Sequence, residues 1–171
     1  MKILKYLLGI VIGIVVLLLV VAAISPSKYA VEREITIYQP VDVVFDYVKH
    51  LKNQDDYSKW AQMDPDMKKT YTGEDAQVGF ISAWESTNPD VGVGEQEIVK
   101  IVENERMDVA LRFIEPFKAN DNAYFITEAI NDHTTKVKWG FYGEMSYPIN
   151  LMLLFMDMEE MLGNVLEQGL E

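Results

Sequence analysis

The N-terminus carries the longest apolar pattern of the chain. Residues 6–24 form a run of nineteen residues without a charge, and almost all of them are apolar. A helix of that length spans a hydrocarbon core of about 30 Å. The pattern therefore predicts a membrane anchor in residues 1–25, a short linker in residues 26–30 and one domain in residues 31–171.

Charged residues on the two sides of this run predict its orientation. Lys2 and Lys5 precede it, whereas Lys28 and Arg33 on the far side are interleaved with glutamates. Since excess positive charge stays in the cytoplasm, we expect a single-pass membrane protein with a cytoplasmic N-terminus and an extracytoplasmic domain. A cleaved signal peptide is the alternative, because residues 21–23 read Val-Ala-Ala, although nineteen residues exceed the usual apolar region of about 7–15.

Two glycines within the run allow a further interpretation. Gly9 and Gly13 have the G-x-x-x-G spacing that lets two membrane helices approach closely. A weak homodimer through these two residues is one interpretation of that spacing. The other interpretation is that glycine is simply common in membrane helices.

The domain begins with a strand and two helices. Residues 31–38 alternate between apolar and polar positions, as a half-buried strand does. Helical spacing of apolar residues follows over residues 41–51, directly after Pro40, and a second short helix is predicted over residues 55–60. The pattern then returns to strands, which are separated by turn signals. These six strands are predicted over residues 68–72, 78–85, 95–102, 107–113, 123–130 and 135–142.

The C-terminus is predicted to be one long helix that begins at Pro148. Its apolar residues recur at three- and four-residue steps and form a broad stripe. They are Leu151, Leu154, Phe155, Met158, Met161, Leu162, Val165 and Leu166. Consecutive strands on short turns indicate an antiparallel sheet, and this helix is the element large enough to cover one face of it.

The predicted fold class is therefore α+β. A curved antiparallel sheet of about seven strands wraps around the long C-terminal α-helix, in the order β-α-α-β6-α, and one transmembrane helix precedes it. A strongly curved sheet that grips a single helix leaves a space between the two layers. That space is apolar because its walls are apolar.

Composition narrows the functions open to this domain. The formal net charge is −12, and an acidic surface repels phosphate backbones, which argues against nucleic-acid binding. The chain has no cysteine, so disulfides, thiolate nucleophiles and zinc–thiolate sites are excluded. His50 and His133 fall in unrelated elements and offer no metal-ligand spacing. The sequence carries no catalytic motif, and we assign no catalytic residue, metal or cofactor.

Local motifs across residues 29–171 resemble those of one structural superfamily. They read DPDMK and TYxG at 64–73, VG and AWE at 78–85, VGE at 93–95, PFK at 116–118, GEM at 143–145 and FxxMxxMLG at 155–163. Together with the order of elements, they resemble the helix-grip fold of the START-like (SRPBCC) superfamily, in particular its polyketide cyclase/dehydrase branch. The motifs are turn and packing residues and do not form a catalytic set.

This resemblance implies a cavity more strongly than a reaction. Members of the superfamily bind lipids, sterols, polyketides and other apolar molecules, and a minority of them catalyse cyclisation or dehydration. The N-terminal membrane helix departs from the usual family pattern. That departure argues against a cytoplasmic polyketide role for this chain.

Strand alternation and helical spacing predict which side chains face the space between sheet and helix. From the strands these are Phe80, Ser82, Trp84, Val109, Leu111, Phe113, Phe125, Thr127, Val137, Trp139 and Phe141. From the helix they are Leu154, Met158, Met161, Leu162 and Val165. One interpretation makes them the ligand-binding lining of a cavity, with Ser82 and Thr127 as rare polar points. The other is that they interlock as an ordinary close-packed core.

Three functional hypotheses follow. The first is a membrane-anchored protein that binds an apolar small molecule or lipid in this cavity. The second is a cyclase/dehydrase-type enzyme, which needs an ionisable group on the inner face, for which Glu128, Tyr124 and Tyr142 are the candidates. The third is a non-catalytic envelope protein-interaction domain with a filled core. Cavity volume separates the third from the others, because a ligand site of this kind needs about 300 Å³ or more.

Overall fold

The computed structural model describes residues 2–171, so Met1, the first residue of the predicted anchor, lies outside the described part. Within that part the α-helices are α1 (Lys2–Ile24), α2 (Val41–Val48), α3 (Gln54–Tyr57), α4 (Lys59–Met63) and α5 (Met158–Leu170). The strands are β1 (Lys28–Ile37), β2 (Lys68–Thr72), β3 (Ile81–Glu85), β4 (Val93–Val102), β5 (Arg106–Glu115), β6 (Ala119–Asn131) and β7 (Thr134–Glu144). Short 3-10 helices cover Leu51–Asn53 and Ile149–Leu154.

The strands form one antiparallel sheet in the spatial order β1-β7-β6-β5-β4-β3-β2. From β2 to β7 each strand pairs with its neighbour in sequence, as expected of consecutive hairpins. Strand β1 joins the far edge by pairing with β7, from Lys28 opposite Glu144 to Ile37 opposite Thr135. The predicted α+β fold, with a seven-stranded antiparallel sheet and a C-terminal helix, is confirmed.

Most strand boundaries differ from the prediction, by up to four residues at the start of β6, which begins at Ala119. Strand β1 begins at Lys28, inside the stretch that was predicted to be a linker. Strand β3 begins at Ile81 instead of residue 78, because Gly79 adopts a positive φ of 90° and its N–H donates to the Ile98 carbonyl at 2.8 Å. A positive φ interrupts a strand, and glycine adopts it without a steric penalty.

The C-terminal segment is not the single long helix predicted from Pro148. A 3-10 helix covers Ile149–Leu154, and α5 begins only at Met158. The break occurs because Asp157 caps the new helix, its side chain accepting a hydrogen bond from the Glu160 N–H at 2.9 Å. An N-cap aspartate satisfies one of the unpaired N–H groups of the first turn. The apolar repeat on both sides of Asp157 concealed this signal.

Helix α5 packs on β1 and approaches it closely. Arg33 of β1 forms an ion pair with Glu159 at 2.6 Å. A Cβ atom placed on Gly163 would lie 1.9 Å from the Arg33 guanidinium, so the absent side chain leaves room for that contact. Leu162 and Leu166 of the same helix are buried against the sheet.

Helix α2 covers the part of the inner face near the β4–β5 turn. Its Phe45 is fully buried, and Lys49 at its C-terminal end contacts Glu103 in that turn at 2.9 Å. The inward side chains of this part of the sheet, among them Phe80 and Val137, belong to one buried cluster with Phe45. Phe45, Phe80 and Val137 are at most 1% exposed and none of them borders the cavity described below, so this end of the core is filled.

Helix α1 is exposed along most of its length. The most apolar stretch of 18 residues within residues 3–24 has a mean hydropathy of 3.4, which makes the helix long and apolar enough to cross a membrane by length and composition alone. A signal sequence near an N-terminus has the same properties, so the anchor stays a prediction at this level. Only the end of the helix packs on the domain, where Ala22 is buried.

Candidate ligand cavity

A cavity of about 200 Å³ lies between the inner face of the sheet, the segment α3–α4 and helix α5. It occupies the end of the sheet that α2 does not cover. The residues lining it are Leu51, Gln54, Asp55, Ser58, Trp60, Ala61, Met67, Lys69, Ser82, Trp84, Val91, Gln96, Val109, Leu111, Phe113, Ala123, Phe125, Trp139, Phe141, Leu162 and Leu166. The two layers therefore do not meet in solid contact here, although the space is smaller than the roughly 300 Å³ usual for ligand sites.

Aromatic rings form most of the rigid wall. Phe125 and Trp139 are stacked with their ring centroids 4.9 Å apart, and Trp60 meets Trp139 edge to face at 6.4 Å. Trp84 and Phe113 make a second edge-to-face pair at 6.0 Å. All three tryptophans of the chain thus line the cavity. Each such aromatic pair contributes about 0.5–1.5 kcal/mol beyond its buried area, so the rings hold one another in place.

Polar side chains are gathered on one side of the cavity. Gln96 of β4 donates to the Gln54 side-chain oxygen of α3 at 2.8 Å, and Lys69 of β2 contacts the Asp55 carboxylate at 2.6 Å. We call these four residues the polar rim. Each pair joins α3 to the sheet, so the polar rim borders the cavity on the α3 side. The same polar groups could bind a ligand in place of one another.

Several of the predicted ligand-binding residues come together here. Ser82, Trp84, Val109, Leu111, Phe113, Phe125, Trp139, Phe141 and Leu162 line the cavity. Their role in binding stays a prediction. Phe80, Thr127 and Val137 are buried, but they lie toward the filled end of the core, where Phe80 stacks on Tyr71 and the Thr127 hydroxyl donates to the Asn104 carbonyl.

The helix contributes fewer lining residues than its apolar stripe predicted. Leu162 and Leu166 face the cavity, whereas Met161 and Leu154 are about half exposed. Val165 and Met158 also lie outside the lining. These four residues lie outside the cavity lining because the stripe is broader than the face that α5 buries, and because the helix restarts after Asp157.

Sequence reasoning missed the residues that close the cavity from the side of α3 and α4. These short helices have too few turns to show a hydrophobic period, so their inward side chains could not be recognised. Ala123 was a different omission, since it alternates with Phe125 on the same strand and could have been included. Leu166 likewise belongs to the stripe of the last helix.

The candidate acids of the enzyme hypothesis do not reach the cavity. Glu128 is exposed and lies 3.6 Å from Lys138 on the outer face of the sheet. The Tyr124 hydroxyl donates to Glu32 at 2.5 Å, and burial together with that carboxylate raises the pKa of Tyr124 to about 12. Tyr142 is 40% exposed. None of the three can donate a proton to a molecule in the cavity.

One inward acid was not foreseen. Asp121 alternates with Ala123 and Phe125 on β6 and is buried. Its carboxylate packs directly on Gly143, where an added Cβ atom would lie only 1.9 Å away. Burial raises the pKa of Asp121, and the hydroxyl of Tyr29 opposes that rise by hydrogen bonding to the carboxylate. The carboxyl lies beside the cavity wall, outside the lining.

Replacing Asp121 with asparagine should remove a pH-dependent loss of stability. A raised pKa means that the folded state binds the proton more tightly than the unfolded state does. Stability from this group is therefore complete below the unfolded pKa and is lost as pH rises through the folded pKa. Urea unfolding at several pH values should show this loss for the wild type and not for Asp121→Asn.

The matched control is Asp132→Asn, which changes an exposed turn carboxylate in the same way. It should leave the pH profile of the wild type unchanged. An Asp121→Asn variant that loses stability equally at every pH would show that the carboxylate acts through its hydrogen bonds alone.

Comparisons with known proteins support the fold. No family model matches the sequence, and no curated protein sequence matches it. The norcoclaurine synthase of Thalictrum flavum, in complex with dopamine and hydroxybenzaldehyde, superimposes with a TM-score of 0.60 at 9% identity, covering 88% of each chain. A protein of Nitrosospira multiformis matches with a TM-score of 0.54 at 17% identity, covering 83% of this chain and 91% of the other. Ara h 8.0201 matches with a TM-score of 0.53 at 13% identity, covering 83% and 94%.

Identities this low establish a shared fold and nothing finer. The fold is that of the Bet v 1-like proteins, the helix-grip architecture expected from the sequence motifs. The assignment to a polyketide cyclase/dehydrase branch stays a prediction.

Proposed function

We propose that this protein binds a small apolar molecule carrying a polar group, in the cavity between sheet and α5, while α1 anchors it in a membrane. The observation that carries the proposal is the unfilled space of about 200 Å³ with aromatic walls. This partly open space is larger than the voids found in close-packed protein interiors. A void maintained by rigid rings is best explained as a place for a guest molecule.

The volume limits the size of that molecule. An apolar cavity of about 150 Å³ accommodates benzene, so the present one suits a compound with one or two rings. A sterol or a long acyl chain would require Leu162, Leu166 or the α3–α4 segment to move. The single-ring compounds bound by the norcoclaurine synthase of similar fold are in this size range.

The polar rim suggests how the guest is oriented. Gln54 and Gln96 offer both donors and acceptors, and Lys69 offers a cation that Asp55 partly neutralises. A hydroxyl or amine at one end of a ring would exchange one of these internal contacts for a contact of its own. The apolar remainder would contribute about 25 cal/mol for each Å² removed from water.

Retention of α1 is favoured by its contacts with the domain. The side chain of Asn150, which is 3% exposed, donates to the carbonyl of Ala22 at 2.8 Å and also approaches the carbonyls of Ser25 and Pro26. Cleavage after Ala23 would remove Ala22 and leave this buried amide with fewer partners, at a cost of about 1–3 kcal/mol. We therefore interpret residues 6–24 as an anchor and propose a cytoplasmic N-terminus with the domain on the other side.

A homodimer through Gly9 and Gly13 stays a prediction. A Cβ atom placed on either glycine would meet nothing within 4 Å outside the neighbouring turns of its own helix, so this face has room for a second helix.

The test uses the tryptophans as reporters, since all three line the cavity. The full chain in phospholipid nanodiscs is titrated with 4-bromophenol, whose bromine quenches nearby indole emission. We expect saturable quenching and, with indole at about ten times its dissociation constant, an increase in Tm of about 3 °C. Quenching that stays linear with concentration, with no increase in Tm for any one- or two-ring compound, would contradict the proposal.

A further inference from the structure

Apolar side chains are exposed around the end of α1. Residues 147–155, which we call the interfacial segment, include the 3-10 helix Ile149–Leu154. Tyr147, Ile149, Met152 and Phe155 of this segment are more than half exposed, and Phe155 is 82% exposed. Such a cluster is unusual on a domain of high net charge and indicates a contact surface.

Hydrogen bonds fix the segment beside the last turns of α1. The Tyr147 hydroxyl donates to the Leu19 carbonyl at 3.4 Å, and the Asn150 amide donates to the Ala22 carbonyl at 2.8 Å. Leu19 lies five residues before Ile24, the last residue of α1, which corresponds to about 7.5 Å along the helix axis. Tyr147 and Asn150 therefore lie alongside the end of the apolar helix, whereas Phe155 lies beside Pro26 and the start of β1, just past that end.

We propose that the interfacial segment inserts into the headgroup region of the same bilayer that α1 spans. The proposal rests on the membrane anchor proposed above. Because Tyr147 and Asn150 are held at the level of the last turns of α1, a bilayer that covers α1 must also reach Tyr147 and Met152. Amphipathic tyrosines are typical of this interfacial level.

Charge indicates the kind of lipid contact. Asp157, Glu159 and Glu160 follow the segment, and the whole chain is strongly acidic. Attraction to anionic headgroups cannot hold such a surface to the membrane, since the charges have the same sign. Insertion is therefore driven by burial of apolar side chains and should occur on zwitterionic lipid.

The arrangement also places the cavity near the membrane. The start of β1 lies opposite the end of β7, and the end of β5 lies opposite the start of β6. These strand ends therefore lie at the same end of the sheet, which is the end that is joined to α1. The cavity residues Trp84, Phe113 and Phe141 lie near this end of the sheet, close to the last residue of their strands. A segment inserted beside α1 would hold this end of the domain toward the bilayer, where apolar compounds concentrate.

Single cysteines test the proposal cleanly, because the natural chain has none. Ile12→Cys, Phe155→Cys and Tyr38→Cys are each labelled with a nitroxide in full-length protein in phosphatidylcholine nanodiscs. Tyr38 is the matched control, since it is as exposed as Phe155 but follows the far end of β1. Depth is measured by electron paramagnetic resonance from collisions with oxygen and with a water-soluble nickel complex.

We expect the label at residue 12 near the bilayer centre, the label at residue 155 about 5–10 Å below the phosphates, and the label at residue 38 in water. If the label at residue 12 is deep in the bilayer but the label at residue 155 is exposed to water, the inference is overturned and the proposed anchor is retained. If the label at residue 155 is shielded from both collision partners, the surface is covered by a protein partner. If its spectrum is broadened by a second label, the surface meets a second copy of the chain. Either result would also overturn the inference. A residue 12 outside the bilayer would remove the anchor and the inference together.

Discussion

Replacing Ala123 with leucine is expected to lower the affinity for indole at least tenfold. Ala123 is buried on β6 and lines the cavity, so a larger side chain there occupies space that the guest molecule needs. A tenfold loss corresponds to about 1.4 kcal/mol. Isothermal titration of the full-length variant in nanodiscs measures it. Filling a void usually stabilises a protein by about 0.5–2 kcal/mol, so the ligand-free variant should unfold at a higher temperature than the wild type.

The matched control is Ala129→Leu, which makes the same change on the same strand at an exposed position. It keeps the anchor and the lipid unchanged, so partition of indole into the bilayer cancels in the comparison. It should bind indole as the wild type does. Equal affinity in Ala123→Leu would show that indole binds elsewhere and would remove the main support for the proposed function.

Replacing Leu166 with alanine is expected to cost about 2–5 kcal/mol of folding free energy. Leu166 is fully buried where α5 meets the cavity, so the change removes apolar contacts and leaves a void beside the existing one. Urea unfolding, followed by tryptophan emission, measures the loss. The enlarged cavity should also bind a two-ring compound such as naphthalene more tightly than the wild type does, and thereby recover part of the lost stability.

Leu154→Ala is the matched control for this variant. The same atoms are removed from a side chain that is half exposed, so the cost should stay within about 0.5 kcal/mol. A loss for Leu154→Ala as large as that for Leu166→Ala would mean that the segment before α5 is part of the core. Such a result would also contradict the interfacial segment, since its side chains would then be packed inside the protein.

The domain fold could be predicted largely from local periodicity. Alternation over residues 31–38 and 135–142 predicted the first and the last strand of the chain, and the observed β1 and β7 contain these ranges almost entirely. Turn signals between the remaining strands predicted consecutive hairpins. These features are local because successive side chains of a strand point to opposite faces of the sheet. The face of each residue therefore follows from its position along the strand.

The candidate site could be predicted only in part. Strand alternation identified side chains on the inner face, but not which of them meet a void. Phe125 lines the cavity and Val137 does not, although both alternate inward on neighbouring strands. The difference arises from α2, which fills the far end of the core, and no pattern within either strand contains that information.

The sequence by itself determined the apolar N-terminal helix, the antiparallel sheet and the inward face of each strand, because each depends on spacing between near neighbours. Only the tertiary structure decided where the void lies, that its polar rim joins Gln54 to Gln96 and Asp55 to Lys69, and that Asn150 ties the domain to the end of α1. These contacts join residues far apart in the chain. Their formation depends on how whole elements pack against one another. Periodicity within one element carries no information about that packing.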